Sequence, residues 1–198
     1  MAQSYKPWDA RLAAIVVAPL RGTGVTPNHL TTVRLIVGAI GAGLFAQGDA
    51  DNIAALIIVV SNFLDHTDGE LARLSGQASK FGHNYDLAAD GLVTVGLFFC
   101  IGIGLAPSLG SGALWLGGLA GISVAGIFQL RNNIEQQYGK AATAQPKLGG
   151  FEAEDILYGL PLVTLVNGLE WFLIAAAIGA PIALAASAAQ YIALEKRV

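Results

Sequence analysis

The sequence predicts an all-α, polytopic membrane protein: six transmembrane helices preceded by an N-terminal amphipathic interfacial helix. Three observations lead there. Of its 198 residues 54% are hydrophobic and only 13% charged, against about 25% charged in a soluble domain, and mean hydropathy is +0.58. Apolar runs recur at the length of roughly 20 residues that a bilayer requires. Glycine is abundant, with 25 residues, as in helices that pack closely in lipid. No linker divides the chain, so residues 1–198 are expected to form one domain, with a juxtamembrane helix over 1–21 and a six-helix bundle over 29–193.

In chain order, "MAQSYKPWDARLAAIVVAPL" comes first. It lacks a clear small-residue cleavage site, and Arg21 follows its apolar run, so it does not read as a signal peptide. Trp8, Leu12, Ile15 and Val16 recur at helical spacing with Lys6, Asp9 and Arg11 elsewhere on the turn, the pattern of a helix lying in the membrane interface. Spans are then expected at 29–47, 53–74, 82–105, 112–135, 154–169 and 171–193. The fifth is the weakest: "ILYGLPLVTLVNG" is short and contains Pro161, so a five-span arrangement is the alternative. In the fourth, Gly117, Gly121 and Ala125 form a small-residue face at four-residue spacing, read as packing within the chain rather than between copies.

The basic residues favour six spans. In that arrangement all 11 Lys and Arg fall at or near one side, while the opposite turns, "GDADN", "APSLGSG" and "NGLE", contain none. The positive-inside rule then places both termini in the cytoplasm. Five spans would move Lys196 and Arg197 outside. A formal net charge of −3 does not suggest nucleic-acid binding. The single cysteine, Cys100, cannot form an intrachain disulfide.

The segment that breaks the apolar pattern is "DHTDGELARLSGQASKFGHNYDLAAD", residues 65–90. Asp65 and Asp68 are three apart, and Asp86 and Asp90 four apart, so each pair shares one face of its helix. On antiparallel neighbours the pairs can converge at the cytoplasmic mouth. Ionised groups at membrane depth cost several kcal/mol each, and Arg73 and Lys80 are too few to neutralise four acids. A purely structural salt-bridge network is therefore disfavoured. An oxygen-rich cluster without Cys or suitably spaced His suits hard cations such as Mg²⁺ or Mn²⁺. Paired ions bridged by carboxylates serve displacement at phosphorus, and Arg73 is placed to clamp a phosphate. A cation transporter using the four aspartates is the rival class. A transporter needs acids near the midplane and an exit, whereas the far turns offer only Asp49, Asp51 and Glu170. A catalytically silent, metal-stabilised scaffold is a third reading.

The same 26 residues resemble the signature of the CDP-alcohol phosphotransferases, D-x2-D-G-x2-A-R-x8-G-x3-D-x3-D. Asp65, Asp68, Gly69, Ala72, Arg73, Gly82, Asp86 and Asp90 meet every spacing. "TPNHLT" (Thr26 to Thr31) is similar to the segment that leads into the family's first span. The resemblance implies transfer of a substituted phosphate from a CDP-linked donor to an alcohol, with release of CMP. It implies that Asp65, Asp68, Asp86 and Asp90 hold metal, Mg²⁺ or Mn²⁺ and two ions. Asp90 would also act as general base on the acceptor hydroxyl. It further implies that Gly69, Ala72, Arg73 and Gly82 line the nucleotide site, with Asn28 a further candidate beside Thr26 and Pro27.

Resemblance to the short bacterial members implies CDP-diacylglycerol as donor and a small polar alcohol as acceptor, in phospholipid biosynthesis at a bacterial inner membrane. The active site would face the cytoplasm and the protein would form a homodimer. Transfer of a phospho-headgroup from a CDP-linked alcohol to a lipid alcohol is the alternative. Arg131 is the candidate for acceptor binding, with lipid-headgroup contact as its other reading. Lys140, Lys147, Arg21 and Arg34 make only a thin basic supplement, poorly suited to a phosphorylated acceptor. Glu152, Glu154 and Asp155 read as helix N-terminal acids, or as contacts to a polar acceptor. His29, His66 and His83 are given no role in the chemistry.

Overall fold

The computed structural model describes residues 8–139, 142 and 153–196, and among them every regular element is helical. The order is α1 (Trp8–Val17), α2 (Pro27–Gln47), α3 (Asp51–Ser75), α4 (Lys80–Gly104), the one-turn α5 (Ala106–Leu109), α6 (Gly112–Tyr138), α7 (Leu160–Leu165) and α8 (Leu169–Glu195). Short 3₁₀ segments at Ala18–Leu20 and Ala153–Gly159 follow α1 and precede α7.

Local chemistry sets the boundaries. The Thr26 backbone N–H donates to His29 Nδ1 at 3.2 Å, closing the first turn of α2 from the side-chain end, while Pro27 enters that turn where its missing N–H costs nothing. Ser79 Oγ accepts from the Gly82 N–H at 3.0 Å and starts α4. Gly48 and Gly76 end α2 and α3 with φ of 75° and 68°, a left-handed conformation that favours glycine.

Four helices are long and apolar enough to cross a membrane: α2, α4, α6 and α8. They correspond to the first, third, fourth and sixth expected spans, and they make this an integral membrane protein. The other two expected spans differ. α3 is 25 residues long, about 37 Å at 1.5 Å per residue, but its C-terminal half carries Asp65, Asp68, Glu70 and Arg73 and is not apolar enough. The expected span over 154–169 is a 3₁₀ segment followed by a six-residue helix. Pro161 sits in the first turn of α7, and the chain reverses at Asn167, whose φ is 53°. α7 by itself reaches about 9 Å.

In the N-terminal region, α1 and its 3₁₀ extension occupy part of the expected 1–21 helix. Asp9, Ala13 and Val17 are buried, whereas Trp8, Leu12, Ile15 and Val16 are exposed. Lys6, Lys140, Lys147, Glu152 and Arg197 lie outside the described residues, as do the side chains of Glu154 and Asp155.

α2 packs on both α3 and α4, and α6 bridges α4 to α8. The core joins Phe45 of α2, Ile58 of α3, Leu97, Phe98 and Ile101 of α4, and Leu173 of α8. Phe98 stacks on Phe172 with centroids 5.8 Å apart. Between apolar helices in lipid, association rests on close van der Waals contact, and glycines supply it here. A Cβ at Gly117 would collide with the Phe98 carbonyl oxygen, and one at Gly102 with that of Ala113. At Gly121 it would stand 3.0 Å from Val95 Cα. Thus Gly117 and Gly121 face α4 of the same chain. Gly38 does the same for α2, where a Cβ would meet Val93 at 2.8 Å and Ser61 Oγ at 2.9 Å.

This packing predicts that Gly117→Leu lowers thermal stability in detergent by about 1–3 kcal/mol, through overpacking against α4 backbone. Gly118→Leu, where a Cβ meets nothing within 4 Å, should unfold within a degree of the wild type. Equal midpoints for the two variants would refute the close α4–α6 approach.

Candidate active site

α2 and α4 begin, and α3 ends, at the same end of the bundle, so the polar residues of all three helices form successive layers there. The outermost layer pairs Asn28 with Gly82: a Cβ at Gly82 would lie 3.1 Å from Asn28 Oδ1. Next, Thr32 Oγ1 and Tyr85 OH are 2.9 Å apart. On the neighbouring face, Thr31 Oγ1 donates to Asp68 Oδ2 at 2.5 Å. One turn deeper lies Arg34. Its Nη1 is 2.7 Å from Asp65 Oδ1 and 3.5 Å from Asp86 Oδ1, and its Nη2 donates to Asp90 Oδ1. The carbonyl of Arg34 accepts from Ser61 Oγ at 3.1 Å, which ties this level of α2 to α3.

Asp65, Asp86 and Asp90 therefore converge, each offering an oxygen within 4.8 Å of the others. Asp68, expected as a fourth member, is 5% exposed and turns toward α2 and Thr31. The donor set is all carboxylate, and the buried Asp86 Oδ1 has no hydrogen-bond partner. Both features fit a hard divalent cation.

The three aspartates line a cavity of about 430 Å³. Arg34 lines it with them, as do Arg131, Asn132 and Glu135 of α6, His83 of α4, Asp9 of α1 and Leu157. Arg131 thus shares a cavity with the carboxylates. The expected nucleotide residues Asn28, Gly69, Ala72, Arg73 and Gly82 do not line it; they lie toward the end of the bundle. There Arg73 Nη2 pairs with the buried Glu70 at 2.9 Å, and its guanidinium overlies Gly69, where a Cβ would come within 3.6 Å. A Cβ at position 69 would be in van der Waals contact with that guanidinium.

Two residues were read from the sequence without the place they take here. Arg34 is 5% exposed and central to the carboxylates, and its signal was available: an arginine inside the apolar run "TTVRLIVG", costly unless partnered. The other is Asp9, 2% exposed, whose Oδ2 lies 3.1 Å from His66 Nε2 while His66 Nδ1 faces the Asn62 carbonyl at 3.1 Å. Both ring nitrogens of His66 are engaged, so this histidine fastens α1 to α3 and has no free nitrogen for a ligand. His83 instead meets Gln136 at 2.8 Å.

Similarity to known proteins agrees with this geometry. A stretch of 85 residues is 35% identical to archaetidylinositol phosphate synthase of Pyrococcus horikoshii, covering 43% of this chain and 45% of that protein. Over 91 residues, 46% of this chain and 34% of the other, it is 32% identical to CDP-diacylglycerol–serine O-phosphatidyltransferase of Helicobacter pylori. It is also 32% identical over 112 residues to cholinephosphotransferase 1 of Danio rerio, covering 54% of this chain and 29% of the fish protein. The matched stretch spans less than half the length of each of these relatives. The model of the CDP-alcohol phosphatidyltransferases, by contrast, matches residues 24–192, from before α2 to the last turns of α8, and the chain belongs to that family.

Proposed function

We propose that this protein transfers a phosphatidyl group from CDP-diacylglycerol to a small polar alcohol, releasing CMP, in phospholipid biosynthesis. The observation that carries the reading is the convergence of Asp65, Asp86 and Asp90 in the lining of a cavity that Arg131 also lines. A carboxylate cluster open to a cavity suits metal-dependent displacement at phosphorus better than ion passage.

In this reading Asp65, Asp86 and Asp90 hold Mg²⁺ or Mn²⁺, with Asp68 joining from its place beside Thr31, and two ions are accommodated. When bound, such ions neutralise charge on the pyrophosphate and on departing CMP. Asn28, Gly69, Ala72 and Gly82 admit the cytidine, and Arg73, more than half exposed, reaches the pyrophosphate as a guanidinium fork. Asp90 serves as general base. An alcohol is a weak nucleophile, so Asp90 takes the hydroxyl proton as that oxygen bonds to the β-phosphorus and the bond from phosphorus to the CMP oxygen breaks. Arg131, which lines the same cavity, orients the acceptor.

Arg34 and Arg131 line the cavity, and Arg73 and Lys80 stand in the last turn of α3 and the first of α4, which supports a cytoplasmic location for that end and for both termini. α1, with Trp8, Leu12, Ile15 and Val16 outward, lies in the interface of a bacterial inner membrane. A homodimer completes the expected assembly.

The deciding experiment measures CMP release by purified protein in lipid micelles, with CDP-diacylglycerol and Mg²⁺ fixed and alcohols added singly. Release with one alcohol names the acceptor. Release only with a CDP-linked headgroup and a lipid alcohol reverses the polarity, and silence with every donor sinks the transferase reading. Chelation by EDTA should abolish release, and added Mg²⁺ or Mn²⁺ should restore it.

Asp90→Asn should reduce turnover by at least about 10²-fold, as expected for loss of a general base, while the donor still binds. Full activity would remove Asp90 from that role. Arg131→Ala should raise the KM for the acceptor and leave that for the donor unchanged. An unaltered acceptor KM would take Arg131 out of the acceptor site.

A further inference from the structure

We infer that Arg34 is the resident counter-cation of the carboxylate cluster and a positioning residue for Asp90, yielding Asp65 and Asp86 when divalent cations bind. The inference rests on the metal reading proposed above and assigns the arginine a part in it.

The two sides of the guanidinium are held differently. Nη2 makes a directed hydrogen bond to Asp90 Oδ1 as well as an ion pair. Nη1 is close to Asp65 and Asp86, at 2.7 and 3.5 Å, yet makes no hydrogen bond of acceptable direction, and Nε likewise has none. Asp86 Oδ1 is also left without a hydrogen bond. The Nη1 side is thus held by charge alone, and an attraction without direction is readily exchanged for a stronger charge. The Asp90 side has geometry to lose as well as charge.

The position of Arg34 makes the exchange obligatory. Asp65 and Asp86 each approach Nη1 with an oxygen, Oδ1, of the carboxylates that would hold a cation. A dication entering between these carboxylates meets a guanidinium already there, and the two cations repel at short range with little water between them. The ions therefore displace Nη1 from Asp65 and Asp86, while Nη2 keeps Asp90 oriented toward the cavity. Without metal, the same guanidinium prevents mutual repulsion from driving the carboxylates apart.

The test compares wild type with Arg34→Met by Mn²⁺ binding, followed by electron paramagnetic resonance, and by thermal unfolding with and without Mg²⁺. With the competing charge gone, the Mn²⁺ dissociation constant should fall by about tenfold. The metal-free unfolding temperature should drop, and the rise that Mg²⁺ produces should exceed that of the wild type. A purely structural arginine would lower stability without tightening Mn²⁺ binding. Unchanged or weaker binding in a folded Arg34→Met therefore overturns the inference. Arg34→Gln, neutral and still able to donate to Asp90, is the second variant and carries the same expectation. If both neutral variants fail to fold even with Mg²⁺, the arginine is a fixture that metal cannot replace, and the inference falls. Wild type that binds no Mn²⁺ defeats the metal reading itself and this inference with it. Wild type that binds, beside a folded variant that binds no tighter, defeats this inference alone.

Discussion

Everything at the polar end of this bundle depends on the contact of one buried guanidinium with three carboxylates from two other helices. Arg34 joins α2 to Asp65 of α3 and to Asp86 and Asp90 of α4. Removing one partner from a buried charge network typically costs about 3–5 kcal/mol, because the remaining charges are left unpaired. Arg34 is therefore structural as well as chemical. The balance is also uneven: three carboxylates surround one guanidinium, more acidic groups than a purely structural pairing needs. The fold thus tolerates an electrostatic cost where these carboxylates converge.

That arrangement needs α2, α3 and α4 to come close at a single level, and small residues make this geometrically feasible. Gly38 lies one turn beyond Arg34 and admits Val93 and Ser61 to the backbone of α2. Ser61 in turn bonds the Arg34 carbonyl. A larger residue at position 38 would push α2 away from both partners and lengthen every contact of Arg34. Farther along the bundle, Gly41 does the same against Ile58. The glycines that let the helices pack in lipid are the ones that bring the carboxylates within reach of one cation.

Much of this was legible in the sequence, for definable reasons. Spacings of three and four on a helix fix which side chains share a face, so the pairing of Asp86 with Asp90 and their convergence with Asp65 could be read from residue numbers. Asp68 shows the limit of that logic. Its spacing from Asp65 allows it to face the cluster, but Thr31 waits on the adjoining helix, and partners across helices are not encoded in spacing within one. Arg34 was visible as a costly charge in an apolar run, yet its partners lie 31 to 56 positions away. The span over 154–169 was legible only in part. Pro161 signalled an irregularity, but spacing along the chain does not say what form the segment takes, which here is 3₁₀ over Ala153–Gly159 and α-helix only over Leu160–Leu165.

The cavity draws its lining from two groups of elements that are held together differently. The carboxylates and Arg34 stand on α2, α3 and α4, held by the Arg34 contacts and by glycine-mediated approach of the backbones. Other lining residues come from α1, α6 and the 3₁₀ segment before α7, elements joined by longer side chains: Trp8 against Tyr158, with centroids 5.4 Å apart, and Gln136 against His83. Side-chain contacts can be exchanged without moving a backbone, so this second group can change its chemistry without disturbing the carboxylates. One link crosses the division. His66 follows Asp65 directly on α3, and its bond to Asp9 fixes α1 in register with the carboxylates. Displacing α1 would therefore pull on the residue next to Asp65, so the N-terminal helix is mechanically joined to the centre of the site.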